Sequence, residues 1–329
     1  MYHDLSLEDP FDVSVIICAY TEDRWAELVS AVESLKHQTK QPCEIILSID
    51  HNPSLYRHAC EYFPPEIQTI QNSGPKGLSG ARNSGIAASK GNIIAFLDDD
   101  ATAASDWLSL LCGYFRSSNV LGVGGSVQPE WQSKKASWFP EEFLWVLGCT
   151  YKGLPEGAAI IRNPMGGCMC WRREVFSIAG GFRNGIGRIG KIPLGCEETE
   201  LCIRAHQKWP DRVFLFEPQS KIYHHIPAHR ATFSYFLSRC YAEGISKAYI
   251  SRFVGKVDGL SSERTYTFHV LPAGVLRGLT DSLRGDISGI ARSMSISMGF
   301  LSTLLGYLAG SLLLFRSSAN KFDLNVNSI

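Results

Sequence analysis

Short apolar runs alternate with helical patterns along the first two thirds of the chain. Each run is nearly continuous, as expected for a strand that is buried on both faces of a parallel sheet. Four runs predict strands: residues 13–20, 44–50, 67–72 and 92–98. Helical patterns occur between them, at residues 25–37 and 80–88. Because helical crossovers join parallel strands, this order predicts an α/β fold with a Rossmann-like, doubly wound and mostly parallel sheet.

Polar residues stand where the first, second and fourth of these runs end. They are Tyr20, Asp50 and the triplet Asp98, Asp99 and Asp100. In open α/β sheets, ligands bind in the crevice beyond the carboxyl ends of the strands. We therefore expect these side chains to line one crevice at that edge of the sheet.

The acidic triplet has a spacing that suits a divalent cation. On an extended segment, Asp98 and Asp100 project to one side and Asp99 to the other. Adjacent carboxylates repel each other unless a partner compensates their charge, and Mg²⁺ and Mn²⁺ prefer oxygen ligands. The alternative is a solvated acidic turn. The buried strand before the triplet and the crevice around it favour the cation.

The composition of the 329-residue chain narrows the function classes. Lys and Arg balance Asp and Glu at 32 each, so the formal net charge is zero and no overall basic field recruits nucleic acid. The N-terminal sequence MYHDLSLEDPFDV has neither the basic start nor the apolar core of a signal peptide. We therefore expect a cytoplasmic protein whose ten cysteines are reduced.

The last third of the chain reads as mostly helical. Within it, residues 293–315 contain no charged residue and are long enough to span a membrane, although many are Ser, Thr or Gly. The alternative is a buried helix of the globular fold. Gly306 and Gly310 are spaced for close helix packing, which allows an oligomer through this helix. The expected division is residues 1–230 for the sheet and 231–329 for a helical, membrane-associated region.

Four motifs occur in this order: VSVIICAYTE, EIILSIDHN, GLSGARNSGIAASKGNIIAFLDDDA and GCEETELCIRA. Together they resemble family 2 of the inverting glycosyltransferases, which have the GT-A fold, over about residues 11–230. Two positions depart from the family's pattern. Ile49 stands where a first aspartate is common, and the acid pair is Glu197-Glu198 where Glu-Asp is common. The side chain of the second glutamate is one methylene longer than that of an aspartate, so its reach differs while its carboxylate chemistry is kept.

The resemblance implies a metal-dependent glycosyltransferase. It would move a hexose or a glycuronic acid from a nucleotide-diphosphate sugar, with UDP favoured, to a glycan or lipid-linked saccharide at the inner face of the cell membrane. The product would be a cell-surface polysaccharide or glycoconjugate, and the cofactor Mn²⁺ or Mg²⁺. The motif EETELCIRA and the Gly-rich C-terminal helix also resemble enzymes that extend polyprenyl-linked sugars, glucuronosyltransferases among them.

The same resemblance implies the roles of individual residues. The nucleotide sugar would contact Ala19, Tyr20, Glu22, Asp50, Arg82, Asp98 and Asp99. Asp98 and Asp100 would bind the metal ion. His224 or His225 would join them, since a late histidine often reaches the metal or diphosphate in this fold. Ordinary loop histidines are the alternative.

Glu198 is the expected general base, and Glu197 is the alternative. Inversion requires a carboxylate on the far side of the sugar, which takes the acceptor's proton as its oxygen attacks the anomeric carbon. Glu200 is expected to pair instead with Arg204, one helical turn further along.

Two other function classes fit parts of the chain. A non-catalytic nucleotide-sugar or glycan-binding protein would share the fold, but the intact Asp98, Asp100 and Glu198 disfavour it. An NAD-dependent oxidoreductase would carry G-x-G-x-x-G after the first strand, and CAYTEDRW contains no glycine. The sequence therefore predicts an enzyme.

Overall fold

The structure is a computed structural model that describes residues 10–187, 195–255 and 261–326. Most of the N-terminal stretch discussed above lies outside these ranges. The strands are β1 Val13–Ala19, β2 Glu44–Ile49, β3 Ile67–Gln71, β4 Ile93–Asp98, β5 Ala101–Ala103, β6 Val120–Trp131, β7 Ala159–Ile161, β8 Cys168–Arg172 and β9 Val213–Ile226. The helices are α1 Trp25–Lys36, α2 Pro53–Tyr62, α3 Leu78–Ala88, α4 Trp107–Gly113, α5 Arg173–Ile178, α6 Glu197–Lys208, α7 Phe233–Val254, α8 Ser261–Thr265, α9 Leu271–Leu283 and α10 Ser288–Val326.

One mixed sheet runs in the order β3-β2-β1-β4-β8-β6-β9-β5, and β7 pairs with β9. The four strands predicted from the apolar runs are β1 to β4, and they are parallel. β8 runs antiparallel to β4 and β6, whereas β6 and β9 are parallel. The predicted fold class and helical C-terminal region are confirmed. The reversal at β8 was not predicted, because a short apolar strand has the same pattern in either direction.

Alternate residues of the central strands fill two cores on opposite faces of the sheet. In β1, Val15 and Ile17 pack into one core and Ile16 into the other. Trp171 of β8 is fully buried in the second core. Burying an aliphatic side chain such as Val15 or Ile17 stabilises the fold by roughly 1.5–3 kcal/mol. Because both faces of the sheet are covered, polar groups from these strands emerge at the strand ends.

The acidic triplet begins with Asp98, the last residue of β4, and continues through the connection to β5, next to β9. β5 pairs with β9 so that Ala101 lies opposite His224. The backbone N–H of His225 donates to the carbonyl of Asp100 at 2.8 Å. This pairing fixes the triplet against the strand that carries the two histidines.

Two long helices, α7 and α10, pack closely against each other. A Cβ built on Gly244 of α7 would lie 2.0 Å from the carbonyl oxygen of Thr303, and one on Gly306 of α10 would lie 2.0 Å from that of Tyr241. Gly310 also faces α7 of the same chain, next to Ala248. The glycine spacing therefore serves a contact within the chain, and the oligomer prediction stays a prediction.

Residues 288–314 of α10 are long and apolar enough to cross a membrane, by length and composition. Of their most apolar window, 22% is buried inside the protein. The alternative of a wholly buried core helix does not fit such exposure. The described part of α10 packs along one side on α7 and α9 and leaves its other side uncovered.

Candidate active site

A cavity of about 820 Å³ lies between the carboxyl edge of the sheet and the C-terminal helices. This volume is in the range of ligand and cofactor sites. Its lining includes most of the residues that the sequence singled out: Ala19, Tyr20, Asp50, Arg82, Asp98, Asp99, Asp100, Glu197, Glu198 and His224. Glu22 is exposed on a short 3₁₀ turn and His225 is half-buried, and neither lines this cavity. The structure thus brings the strand-end residues and the acid pair to one place.

Asp98, Asp100 and His224 form a group that can hold a metal ion. One ligand atom from each lies within 4.8 Å of the others. His224 Nε2 is 3.0 Å from Asp100 Oδ1. Consecutive side chains of a strand alternate, so His225 points the other way and lies 3.6 Å from Glu27 Oε1. The geometry separates the two histidines that the sequence left equivalent.

Asp100 and His224 stabilise each other's charge. Burial alone would raise the pKa of Asp100, but His224 and the neighbouring Arg24 and Arg230 outweigh it and hold that pKa well below its usual range. Burial would lower the pKa of His224, but the Asp100 carboxylate raises it to about 10. A divalent ion bound here would replace the positive charge of His224 beside the ionised Asp100 carboxylate.

Arg24 and Arg230 also lie at the site, although the sequence did not predict them there. Arg24 Nη1 lies 2.7 Å from Asp99 Oδ1 and 3.0 Å from Asp100 Oδ2, and Arg230 Nη1 lies 3.5 Å from the latter atom. Asp99 Oδ2 is buried and has no hydrogen-bond partner among the described residues. Burial raises the pKa of Asp99 to about 7, against the opposing charge of Arg24.

Asp50 ties the end of β2 to the loop before α3. Its Oδ1 accepts from Asn72 Nδ2 at 2.7 Å, and its Oδ2 accepts from the backbone N–H of Gly77 at 2.9 Å. Gly77 has φ +125°, a conformation that favours glycine, and it precedes the first turn of α3. Each carboxylate oxygen keeps a lone pair for a ligand in the cavity.

Arg82 connects the acid pair to the acidic triplet. It lies in the second turn of α3 and is 2% exposed. Its Nη1 lies 2.6 Å from Glu197 Oε1, and its Nη2 donates to the carbonyl of Gly166 at 2.8 Å and lies 3.9 Å from Asp98 Oδ1. Glu197 is therefore held in a buried ion pair.

Glu198 is in a different electrostatic state. Its carboxylate accepts a long hydrogen bond of 3.4 Å from Thr199, and it forms no ion pair within the described residues. Burial and the negative charge of Glu197 raise the pKa of Glu198 to about 8. The helix that presents it is anchored by Glu200, whose carboxylate lies 2.7 Å from Arg204 Nη2, and this predicted i, i+4 pair is confirmed.

Beyond Glu198, a network of half-buried charges lines the cavity. Lys247 Nζ lies 2.7 Å from Glu263 Oε1 and 3.3 Å from Glu243 Oε1. Arg162 forms a bidentate contact with Glu263, with Nη1 donating to Oε2 at 2.8 Å and Nη2 donating to Oε1 at 3.1 Å. Cys196 Sγ donates to Glu243 Oε1 at 3.1 Å. These contacts join α7 and α8 to the residue just before the acid pair.

The family model for glycosyl transferase family 2 matches residues 14–178. A glucosyl-dolichyl phosphate glucuronosyltransferase of Haloferax volcanii is 32% identical over 238 residues, which are 71% of this chain and 76% of that protein. The succinoglycan biosynthesis protein ExoM of Rhizobium meliloti is 23% identical over 242 residues, 70% of this chain and 72% of ExoM.

A solved structure has a similar fold. The crystal structure of GalNAc-T7 with UDP, GalNAc and Mn²⁺ superposes with a TM-score of 0.50 at 19% sequence identity. The match covers 66% of this chain and 43% of that chain. At this identity the likeness concerns the fold of the sheet and its helices.

Proposed function

Because the chain belongs to glycosyl transferase family 2, we propose that it transfers a hexose or a glycuronic acid from a nucleotide-diphosphate sugar to a lipid-linked saccharide. UDP is the favoured nucleotide, and the transfer inverts the anomeric carbon. The name of the Haloferax relative, which acts on glucosyl-dolichyl phosphate, supports this class of acceptor. A sugar on a polyprenyl phosphate is thus the acceptor that we infer.

The observation that carries the proposal is that the acidic triplet and Glu198 open into the same cavity. The donor's diphosphate would lie at the triplet, and the acceptor's hydroxyl would approach from the side of Glu198. Residues from β1, β2, β4 and β9 hold one side of the reacting centre, and the start of α6 holds the other.

Asp98, Asp100 and His224 would hold the divalent ion. Two carboxylates and one imidazole suit Mn²⁺, whereas Mg²⁺ prefers an all-oxygen shell. When bound, the ion would stabilise negative charge on the leaving diphosphate. Arg24 and Arg230 keep Asp100 in place from the other side, through contacts at 3.0 and 3.5 Å.

Glu198 would act as the general base. The acceptor's proton would pass to its carboxylate as the hydroxyl oxygen bonds to the anomeric carbon and the bond to the diphosphate breaks. A pKa of about 8 makes this carboxylate a stronger base than an ordinary glutamate. Glu197, neutralised by Arg82 at 2.6 Å, would position the start of α6.

We further propose that the chain acts at the inner face of the cell membrane, with α10 inserted in or lying on the bilayer. The length and apolar composition of residues 288–314 support this placement. In this proposal the region up to residue 230 binds the donor and carries the catalytic groups, and residues 231–329 bring the acceptor to them.

Product analysis tests the proposal. Full-length protein in detergent micelles, supplied with Mn²⁺, UDP-glucuronic acid or UDP-glucose, and a glucosyl polyprenyl phosphate, should form a disaccharide lipid. Proton NMR of the released disaccharide should show a β linkage, since these donors are α-linked. An α linkage would contradict an inverting base at Glu198. Donor binding without product for any acceptor of this class would favour the non-catalytic alternative.

A further inference from the structure

The cavity continues past Glu198 to an end that is lined by α10. Phe300, Thr303, Leu304 and Tyr307 line this end. Their spacing of three and four residues places them on one face of the helix. Phe300 is 39% exposed and Leu304 is 42% exposed, although both line the cavity. The cavity therefore opens to the outside along an apolar helix face.

A stripe of charged residues on α7 lies between Glu198 and this opening. Arg239, Glu243 and Lys247 follow one another at four-residue spacing and line the cavity. Glu243 accepts the hydrogen bond of Cys196, two residues before Glu198. The next residue of α7, Gly244, is in tight contact with the Thr303 backbone of α10. The lining thus passes from the candidate base, through the charged stripe, to the apolar face.

The charged stripe of α7, together with Arg162 and Glu263 beside it, suits an anionic group rather than a neutral sugar alone. Arg162, Arg239 and Lys247 line this part of the cavity together with Glu243 and Glu263. Three cations against two carboxylates leave a formal charge of +1. A phosphate between a sugar and a lipid tail carries the complementary charge.

The opening borders a larger apolar surface of the same helix. Leu301, Leu305, Leu308 and Leu312 occupy a neighbouring face of α10 and are 51–64% exposed. A molecule that leaves the cavity beside Phe300 and Leu304 would therefore meet the surface that is suited to a bilayer.

We propose that Phe300, Leu304 and Tyr307 form the binding site for the isoprenoid tail of the acceptor. The sugar of the acceptor reaches Glu198, its phosphate lies at the charged stripe of α7, and its tail runs along α10 into the bilayer. This inference rests on the proposed function. It adds that the helix suited to the membrane is itself a wall of the active-site cavity and selects acceptors by their tail.

Two acceptors with the same glucosyl phosphate head test the proposal, one with a long polyprenyl tail and one, the short acceptor, with only a methyl group in place of the tail. Leu304→Gln in the full-length enzyme should raise the KM for the long-tailed acceptor about tenfold and leave the KM for the short one and both kcat values unchanged. Leu308→Gln is the matched control, since Leu308 is 51% exposed on the same helix outside the cavity lining. It should leave the ratio of the two KM values at the wild-type level.

A direct readout does not depend on these variants. A long-tailed acceptor that carries a photoreactive diazirine in its first isoprene units should label a peptide containing residues 300–307 of the wild-type enzyme. Excess unlabelled acceptor should suppress this labelling.

Four outcomes would overturn the inference. One is that Leu304→Gln raises both KM values equally. Another is that Leu308→Gln raises the KM for the long-tailed acceptor as much as Leu304→Gln does. The third is that labelling falls outside residues 300–307. The fourth is that Leu304→Gln changes the oligomeric mass and leaves the ratio of the two KM values unchanged, which would assign this face to a second copy of the chain. In all four cases wild-type transfer persists and the proposed function stands. Failure of the wild type to use either acceptor would remove the proposed function, and the inference with it.

Discussion

The two ends of the cavity, which we propose bind the donor and the acceptor, are built in different ways. The donor end consists of side chains at strand termini, where Asp98, Asp100 and His224 meet because their strands are fixed in one sheet. The acceptor end consists of faces of α7 and α10, which meet through the glycine contact at Gly244. The first construction concentrates charge at one point, and the second lays polar and apolar groups side by side along a groove. In the proposed function, the edge of the sheet holds the metal ion and the donor, and the helices select the acceptor.

The largest expected effect is at the junction of the two ends. Glu198→Gln removes the proposed base with little change in shape, so kcat should fall about a thousandfold while donor binding is unchanged. Glu22→Gln is the matched control, because Glu22 is exposed and lies outside the cavity lining. Steady-state kinetics and donor titration measure both. Equal activity of Glu198→Gln and wild type would remove the base assignment.

The next effect separates two neighbouring histidines at the donor end. His224→Ala removes a proposed ligand, so the Mn²⁺ concentration for half-maximal activity should rise about 100-fold. His225→Ala should leave it unchanged, because His225 faces Glu27. Activity measured across a Mn²⁺ titration gives both values. If His225→Ala had the larger effect, the strand orientation described here would be wrong.

Two glycine substitutions test whether the acceptor end depends on the close packing of α7 on α10. Gly244→Ala places a Cβ 2.0 Å from the carbonyl oxygen of Thr303, which should cost about 2 kcal/mol of stability and raise the KM for the acceptor but not for the donor. Gly113→Ala on α4 is the control, since a Cβ there has no heavy atom within 4 Å. Thermal unfolding and the two KM values measure the effect. Donor and acceptor KM values that rise together would argue against separate ends.

The smallest expected effect is a shift in pH dependence. The base acts when deprotonated, so kcat/KM should rise with pH through the pKa of Glu198. Burial and Glu197 raise that pKa to about 8. Glu197→Gln removes the negative neighbour and frees Arg82 to attract the Glu198 carboxylate, and both changes lower the pKa. In a plot of kcat/KM against pH, the rise should therefore occur about one pH unit lower in Glu197→Gln than in the wild type. A rise at the same or a higher pH would contradict the assignment of Glu198 as the base.

The sequence predicted much of the donor end for a physical reason. Parallel strands end at one edge of a sheet, so Tyr20, Asp50 and the triplet could be placed together without coordinates. Turns between strands were less predictable. Arg24 follows β1 in a 3₁₀ turn that brings it to the triplet, whereas Glu22 in the same turn was expected in the nucleotide pocket and is exposed. Their spacing from the strand end alone does not distinguish the two.

The acceptor end could not be predicted in the same way. Arg239, Glu243 and Lys247 have the spacing of an ordinary solvated helix face, and their partners Val146, Cys196 and Glu263 are distant in the sequence. The position of α10 beside them depends on the contact between Gly244 and Gly306, which are 62 residues apart in the sequence. The apolar composition of α10 indicated a membrane or a core, but not that one of its faces lines the cavity.

The most direct test of the account is the melting temperature of the full-length protein with a UDP-sugar, measured with and without Mn²⁺. If the acidic cluster holds the ion against the diphosphate, the UDP-sugar should raise the melting temperature markedly when Mn²⁺ is present and little when it is absent. Asp98→Asn should abolish the Mn²⁺-dependent part. An equal rise without Mn²⁺, or a full rise in Asp98→Asn, would contradict the account.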